Sequence, residues 1–261
     1  MEGNPRLFNA SLIGRERWCD LLHLQVLLPA EIGDVEAGQF AMIETKAPEA
    51  TLLRPFSIFE ARGKFLGFLM QVRGKGTASL SRLPLGTSLK VIAPLGRGFP
   101  LPGGKRGAIL VAGGVGIASL YPLALNLRRM KVEVRLLWGT RNSQEIPPPL
   151  LRGLERAGVG LEIATEDGSE GKKGMVTDLI TPALLERDTV LYACGPREML
   201  RKVAEIAARY RLPCWVSLEE RMACGLGACL GCVVETKKGY QRTCREGPVF
   251  PAEEIVWQGQ T

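Results

Sequence analysis

Four cysteines crowd into 21 residues near the end of the chain, spaced C-x4-C-x2-C-x11-C at Cys224, Cys229, Cys232 and Cys244. Three of them share one glycine-rich loop, CGLGACLGC. The opening residues, MEGNP, carry neither the basic region nor the apolar run of a secretory signal. A cytoplasmic setting is therefore expected, with reduced thiols rather than disulfides. Crowded thiols in such a chain point to a metal site. To serve one, the backbone must wrap closely around a small inorganic centre. Gly225, Gly227 and Gly231 relieve the crowding of that wrap and can turn N–H groups toward sulfur.

The first two spacings match the plant-type pattern for a 2Fe–2S cluster. Structural zinc also accepts four thiolates, but usually from two paired knuckles. One compact triad with a single distant partner favours iron–sulfur over zinc. Cys19, Cys194 and Cys214 stand apart and are expected to fill space, with Cys194 reserved because it lies in a motif treated below.

The remaining residues divide in two. Over the first hundred, short β-prone runs (9–14, 18–28, 40–44, 57–61, 65–72 and 88–93) alternate with turn signals such as Gly33-Asp34 and Gly63-Lys64. That rhythm predicts a small antiparallel barrel. His23, the single histidine, falls inside one of these runs and reads as structural. A Gly/Pro-rich stretch, PLGRGFPLPGGKR, follows as a linker. Beyond it, strands predicted at 108–112, 132–138, 161–165, 189–193 and 214–218 alternate with helices at 119–130, 149–157, 176–185 and 197–210. Alternation of this length implies a parallel sheet covered on both faces. The expected architecture is thus β plus α/β: an antiparallel barrel (1–102), a doubly wound parallel-sheet domain (103–217) and a small cluster segment (218–261).

Composition narrows the classes of partner. At 46% apolar and 23% charged, the 261 residues can bury a sizeable core. The net charge is +7, but basic runs such as Arg128 to Lys131 and Lys172-Lys173 are short. A solvated basic surface is expected rather than a nucleic-acid site. The apolar stretches are too short and too broken by glycine for a membrane span.

In the second half, VAGGVGIA follows an apolar strand and opens a helix, so Gly113, Gly114 and Gly116 can admit a pyrophosphate to the backbone and helix end. The run is not the G-x-G-x-x-G fingerprint and is a weak signal alone. Cys194-Gly195-Pro196 ends a later strand before another helix. Both segments belong at the carboxyl edge of the sheet, where ligands bind, which points to a nicotinamide site.

The order Arg54-Pro55-Phe56-Ser57, Gly76-Thr77, Gly113-Gly114-Val115-Gly116, Cys194-Gly195-Pro196 resembles the ferredoxin–NADP reductase superfamily. SLEERMAC before the cluster loop and TCREGPVF around Cys244 resemble, more narrowly, the electron-transfer subunits of type B dihydroorotate dehydrogenase. The resemblance spans nearly the whole chain. It implies FAD on the barrel, held by Arg54, Pro55, Phe56 and Ser57, bordered by Leu69, Met70 and Gln71, with Gly76 and Thr77 beside its pyrophosphate. Relatives commonly carry arginine where Gln71 stands, so either Gln71 or Arg73 meets the flavin phosphate.

The resemblance also implies a partner, an FMN-containing catalytic subunit that oxidises dihydroorotate, in a heterotetramer of two plus two. Electrons would pass through the cluster and FAD to NAD, in pyrimidine biosynthesis. No acid–base dyad is then required, since the cofactors carry the chemistry; Glu219 and Glu220 read as surface charges or supporting groups near the cluster. Small subunits of NAD(P)H–ferredoxin and sulfide dehydrogenase complexes share the domain order and form the alternative. NAD and NADP are not distinguished by the residues, because Arg141 follows a strand end where a 2′-phosphate could be met.

Overall fold

The computed structural model describes residues 5–257. Six strands, β1 (Arg6–Trp18), β2 (Leu21–Leu27), β3 (Phe40–Ile43), β4 (Arg54–Arg62), β5 (Phe65–Gln71) and β6 (Ser88–Leu95), close an antiparallel barrel in the order β1-β2-β5-β4-β3-β6. Alternate residues point inward. Ala10 and Leu12 of β1, Leu24 and Val26 of β2, Leu66 and Phe68 of β5 and Leu89 and Val91 of β6 fill the interior, all fully buried. Each large apolar side chain so placed contributes roughly 1.5–3 kcal/mol, and closure leaves no open sheet edge.

Two details differ from expectation. Gly14 does not end a strand. It sits at a bulge within β1, packed so closely on Gln25 that a Cβ would overlap its side chain. The chain reverses instead at Cys19, an exposed residue with φ of +55°, so Cys19 fills no core space. A short helix, α1 (Lys75–Leu80), also interrupts the GKGT run between β5 and β6.

After an irregular connection, a seven-stranded sheet follows. It comprises β7 (Gly107–Gly113), β8 (Glu133–Thr140), β9 (Gly160–Thr165), β10 (Lys172–Lys173), β11 (Thr189–Cys194) and β12 (Cys214–Ser217), with β15 (Val249–Pro251) at one edge. The order is β10-β9-β8-β7-β11-β12-β15, parallel throughout except for antiparallel β15. Successive side chains of β7 face opposite ways. Ala108, Leu110 and Ala112 pack with α2 (Ile117–Arg129) and α3 (Pro148–Arg156), whereas Ile109 and Val111 pack with α4 (Arg197–Tyr210). The sheet is therefore doubly wound.

The helix expected over 176–185 is replaced by two short 3-10 turns, Val176–Leu179 and Pro182–Leu184. Pro182 has no N–H to give, and it holds Thr181 extended at ψ 154°. The apolar residues that mimic a helical stripe, Val176, Leu179 and Leu185, cap the core beneath α4.

The cysteine segment adds a hairpin, β13 (Val233–Thr236) and β14 (Gly239–Arg242), before β15 joins the large sheet. Barrel and sheet domain meet through aromatic packing: Phe59 of β4 lies 5.0 Å from Tyr121 of α2, and within the barrel Trp18 and His23, stacked at 4.2 Å, back Phe59. Tyr192 donates to the Pro100 carbonyl at 2.8 Å, which ties the Gly/Pro-rich connection to the sheet. His23 is buried as expected; burial lowers its pKa, against the opposing charge of Glu16.

Candidate flavin, nicotinamide and cluster sites

Two cavities meet where barrel and sheet join. The smaller, ≈ 260 Å³, is lined by Pro55, Phe56 and Ser57 from β4, Leu69, Met70 and Gln71 from β5, and residues just after β12. The larger, ≈ 510 Å³, follows the carboxyl edge of the parallel strands and is lined by Gly113, Gly114, Gly116, Gly195 and Pro196. Gln71, Arg73, Val115, Leu218, Glu219 and Glu220 line both. A group in one cavity can thus touch a group in the other.

Six of the nine residues assigned to the flavin side gather in the smaller cavity. Arg54, Gly76 and Thr77 do not line it. The Arg54 guanidinium donates to the Leu52 carbonyl at 2.9 Å. The Thr77 hydroxyl accepts the Arg73 and Gly74 N–H groups at 3.0 and 3.2 Å, shaping the turn into α1. Gln71 Oε1 is buried with no hydrogen-bond partner among the described residues. An orphaned acceptor at a cavity wall is what a bound group with an N–H donor would satisfy, so the residues fit a flavin.

Along the sheet edge, the glycines explain one another. A Cβ on Gly116 would lie 2.2 Å from the Cys194 carbonyl oxygen, and one on Gly113 would lie 2.6 Å from Pro196 Cδ. The two strand-to-helix turns therefore pack backbone against backbone. Gly114 differs: its φ is +53° and nothing stands within 4 Å of its Cβ position. Trp138, fully buried on β8, donates its indole N–H to the Gly114 carbonyl at 3.0 Å and fixes this turn. In sequence Trp138 reads only as core. Cys194 lines neither cavity. It is buried behind the edge, where desolvation first and the Glu219 charge second push its thiol up to about 12, against hydrogen bonds with Ser119 and Ser217.

Glu219 stands at the junction of the cavities, not merely beside the cluster. Surrounding protein raises its carboxyl pKa, while Arg73 works in the opposite direction. Its neighbour Glu220 pairs with Arg197 at 3.4 Å.

The cysteine loop lies on the far side of the smaller cavity, whose wall includes Met222 and Pro248. Cys232 and Cys244 are buried in a small core with Phe40 and Met42 of β3 and Leu95 of β6. Cys229 is exposed and Cys224 half-buried. The loop rests directly on the barrel: a Cβ on Gly225 would meet Met42 Cγ at 2.4 Å.

Cys229 is the thiol that acts on Cys224, and Cys232 acts more than Cys224 on Cys244. Neighbouring thiols of this kind fit a binuclear cluster, which takes two thiolates on each iron. Burial opposes ionisation of Cys224, yet the N–H groups of Leu226 and Cys229, the Cys229 thiol and the Ala228 N–H outweigh it and bring the thiol down to about 6. Leu226 N–H lies 3.4 Å from its sulfur. Arg242 braces the loop by donating to the Gly227 carbonyl at 2.9 Å and pairing with Glu246. That hydrogen bond holds the Glu246 carboxyl at about 2 despite partial burial. The i,i+4 spacing of Arg242 and Glu246 around Cys244 was the available clue in the sequence.

Comparison with known proteins decides the lineage. The electron transfer subunit of dihydroorotate dehydrogenase B (NAD(+)) from Caldanaerobacter subterraneus subsp. tengcongensis is 39% identical over 224 residues, covering 84% of this chain and 87% of that protein. This chain belongs to the family of dihydroorotate dehydrogenase B electron transfer subunits. The homologue from Aquifex aeolicus is also 39% identical, over 91% of this chain and 93% of its own length.

Within this electron-transfer subunit, residues 219–256 match the model of the iron-sulfur cluster binding domain of dihydroorotate dehydrogenase B, and residues 110–205 match an oxidoreductase NAD-binding domain. These matches cover the cysteine loop with its hairpin and the glycine-lined edge of the sheet. Among solved structures, one described for flavin-based electron bifurcation by an NADH-dependent reduced ferredoxin-NADP oxidoreductase superposes with a TM-score of 0.84 at 27% identity, over 98% of this chain and 92% of that one. No helix among the described residues is long and apolar enough to cross a membrane.

Proposed function

We propose that this subunit receives electrons from the FMN of a dihydroorotate-oxidising catalytic subunit and relays them through a 2Fe–2S cluster and FAD to NAD, in pyrimidine biosynthesis. The observation that carries this reading is the contiguity of the three sites. The flavin-side cavity shares six wall residues with the nicotinamide-side cavity, and its opposite wall is the cysteine segment. FAD, when bound, links one-electron exchange with the cluster to hydride exchange with the nicotinamide.

The chain's own residues set the geometry. Pro55, Phe56, Ser57, Leu69 and Met70 would cover the flavin ring, and Gln71 Oε1 would accept from it. Arg73, a cation on the walls of both cavities, is better suited than neutral Gln71 to a phosphate. Arg54, Gly76 and Thr77 would reach the flavin's phosphate end. Gly113, Gly114 and Gly116, with Gly195 and Pro196, would carry the nicotinamide pyrophosphate, and Cys194 supports that edge from behind. Cys224, Cys229, Cys232 and Cys244 would hold the cluster.

The catalytic partner would dock over the cysteine loop, since a carrier must lie between its two flavins. Leu226 and Leu230 are 47% and 59% exposed there, an apolar surface better covered than wet. A complex of two plus two subunits follows the family pattern. The similarity to the bifurcating oxidoreductase supports a second reading, the small subunit of an NAD(P)H–ferredoxin or sulfide dehydrogenase type complex.

Metal and flavin analysis of the purified chain tests the first step. About one FAD with two irons and two acid-labile sulfides per chain is the expected content; zinc without iron would overturn it. Reconstitution with the dihydroorotate-oxidising subunit separates the two readings. Dihydroorotate-dependent NAD reduction supports the first, and its absence in an assembled complex supports the second.

A further inference from the structure

The cavity along the sheet edge has two chemically different ends. One shares Gln71, Arg73 and Glu219 with the flavin-side cavity; the other stops at Arg141, Glu145 and Glu166, beyond β8 and β9. From β12 to β9 is four inter-strand spacings, about 19 Å. Hydride transfer requires the nicotinamide to meet the flavin, so an extended dinucleotide would put its adenosine at the second end. That placement rests on the function proposed above.

The cation at this end is already engaged. Glu145, whose side chain is 5% exposed, accepts from the Arg141 backbone N–H at 3.1 Å and pairs with the Arg141 guanidinium. Glu166 is drawn alongside by two backbone bonds, Glu166 N–H to the Thr140 carbonyl at 3.1 Å and Asp167 N–H to the Arg141 carbonyl at 3.2 Å. Its charge and that of Asp20 also act on the guanidinium. The wall thus carries more negative than positive charge, although it contains an arginine at the strand end where a phosphate-binding residue would be sought.

We infer that Glu145 and Glu166 make this site selective for NAD over NADP. Glu145 keeps Arg141 from acting as a ligand for a 2′-phosphate. Glu166 offers acceptors to the hydroxyls of an unmodified ribose. A 2′-phosphate, carrying close to two negative charges at neutral pH, meets both carboxylates with Arg141 the one cation lining this end of the cavity among the described residues, and that cation already paired.

The test is binding of 5′-AMP and adenosine 2′,5′-bisphosphate to the full chain by calorimetry, together with the kcat/KM ratio for NADPH over NADH with ferricyanide as acceptor. Wild type should favour the unphosphorylated ligand in both. Glu166→Gln, at an exposed position, should raise the relative affinity for the bisphosphate about tenfold, as expected for one unit charge removed at ~7 Å in a partly screened cleft. Glu145→Gln added to it should raise the ratio further by releasing Arg141, and Arg141→Ala in that background should reverse the second gain. An unchanged ratio in folded Glu166→Gln and in the double variant would overturn the inference, as would a wild type that binds both ligands equally. A wild type that binds neither nucleotide and oxidises neither NADH nor NADPH would instead remove the nicotinamide site on which the inference rests.

Discussion

Alanine at Gly116 and alanine at Gly114, two residues apart on one turn, should have opposite consequences. Gly116 has helical backbone angles, φ −56° and ψ −19°, so a methyl group adds no torsional strain. It would, however, stand 2.2 Å from the Cys194 carbonyl oxygen and 2.6 Å from its carbon. Both obstacles are backbone, so the β7 and β11 turns must part by about 1 Å. Overpacking of this kind usually costs ~1–3 kcal/mol, and rigid obstacles place it at the upper end. For a domain of this size, about 3 kcal/mol corresponds to a fall of roughly 10 °C in Tm. Gly114 is the reverse case. At φ +53° alanine costs roughly 1 kcal/mol in torsional strain, but its methyl meets nothing within 4 Å and faces the nucleotide cavity. Thermal unfolding followed by circular dichroism, paired with NADH titration, separates the two. Gly116→Ala should lose Tm heavily. Gly114→Ala should keep most of its Tm and lose NADH affinity. Equal Tm losses, or Gly116→Ala with wild-type Tm and NADH affinity, would refute the steric reasoning.

Cys229→Ala should abolish the cluster signal in electron paramagnetic resonance and dihydroorotate-coupled NAD reduction, while NADH oxidation by ferricyanide survives; normal coupling in an assembled complex would remove the cluster from the route. Arg242→Gln releases the Gly227 carbonyl and Glu246 together, so it should speed loss of iron to a chelator several-fold, measured by bleaching of visible absorbance; Arg242→Lys should restore part of the retention. Burial depresses the His23 pKa below its unfolded value of 6.5. The unfolded chain then binds the proton first, and stability falls as pH drops below about 6.5 toward the folded pKa. Glu60, raised by burial, contributes the opposite slope at lower pH. Urea unfolding from pH 7.5 to 5.5 should therefore show a steeper loss in wild type than in His23→Phe, and identical slopes would contradict the assignment.

The barrel and the alternating half were legible because each rests on local periodicity. Inward residues of β2 and β6 recur every second position, and the continuous apolar β7 is flanked by turn glycines. The cysteine quartet was legible because cluster ligation demands a compact spacing. What no local pattern encodes is the set of contacts between distant residues. Gln71, Val115 and Glu219 meet at the cavity junction only once three separate segments pack together, and nothing local marks Glu219 as more than a surface charge. Trp138 carries no local signal for its hydrogen bond to the Gly114 carbonyl. The stretch 176–185 misled because its apolar residues keep helical spacing while Pro182 forbids a helix. β15 is only three residues long, too short for any periodic signal.

That short strand has a consequence for biosynthesis. The nicotinamide sheet opens with β7 at Gly107, yet its outer edge is completed by Val249–Pro251. As the chain leaves the ribosome, the barrel strands are all available by Leu95 and can pair early. The sheet must wait, with β12 unprotected, until Val249–Pro251 emerges. The cysteine loop lies within that delayed stretch, and Arg97 N–H bonds the Gly247 carbonyl at 2.6 Å, so the barrel receives its final contact at the same moment. Completion of both folded units therefore waits on the one segment that also carries Cys224, Cys229, Cys232 and Cys244, so the sheet edge, the last barrel contact and the cysteine loop are finished together.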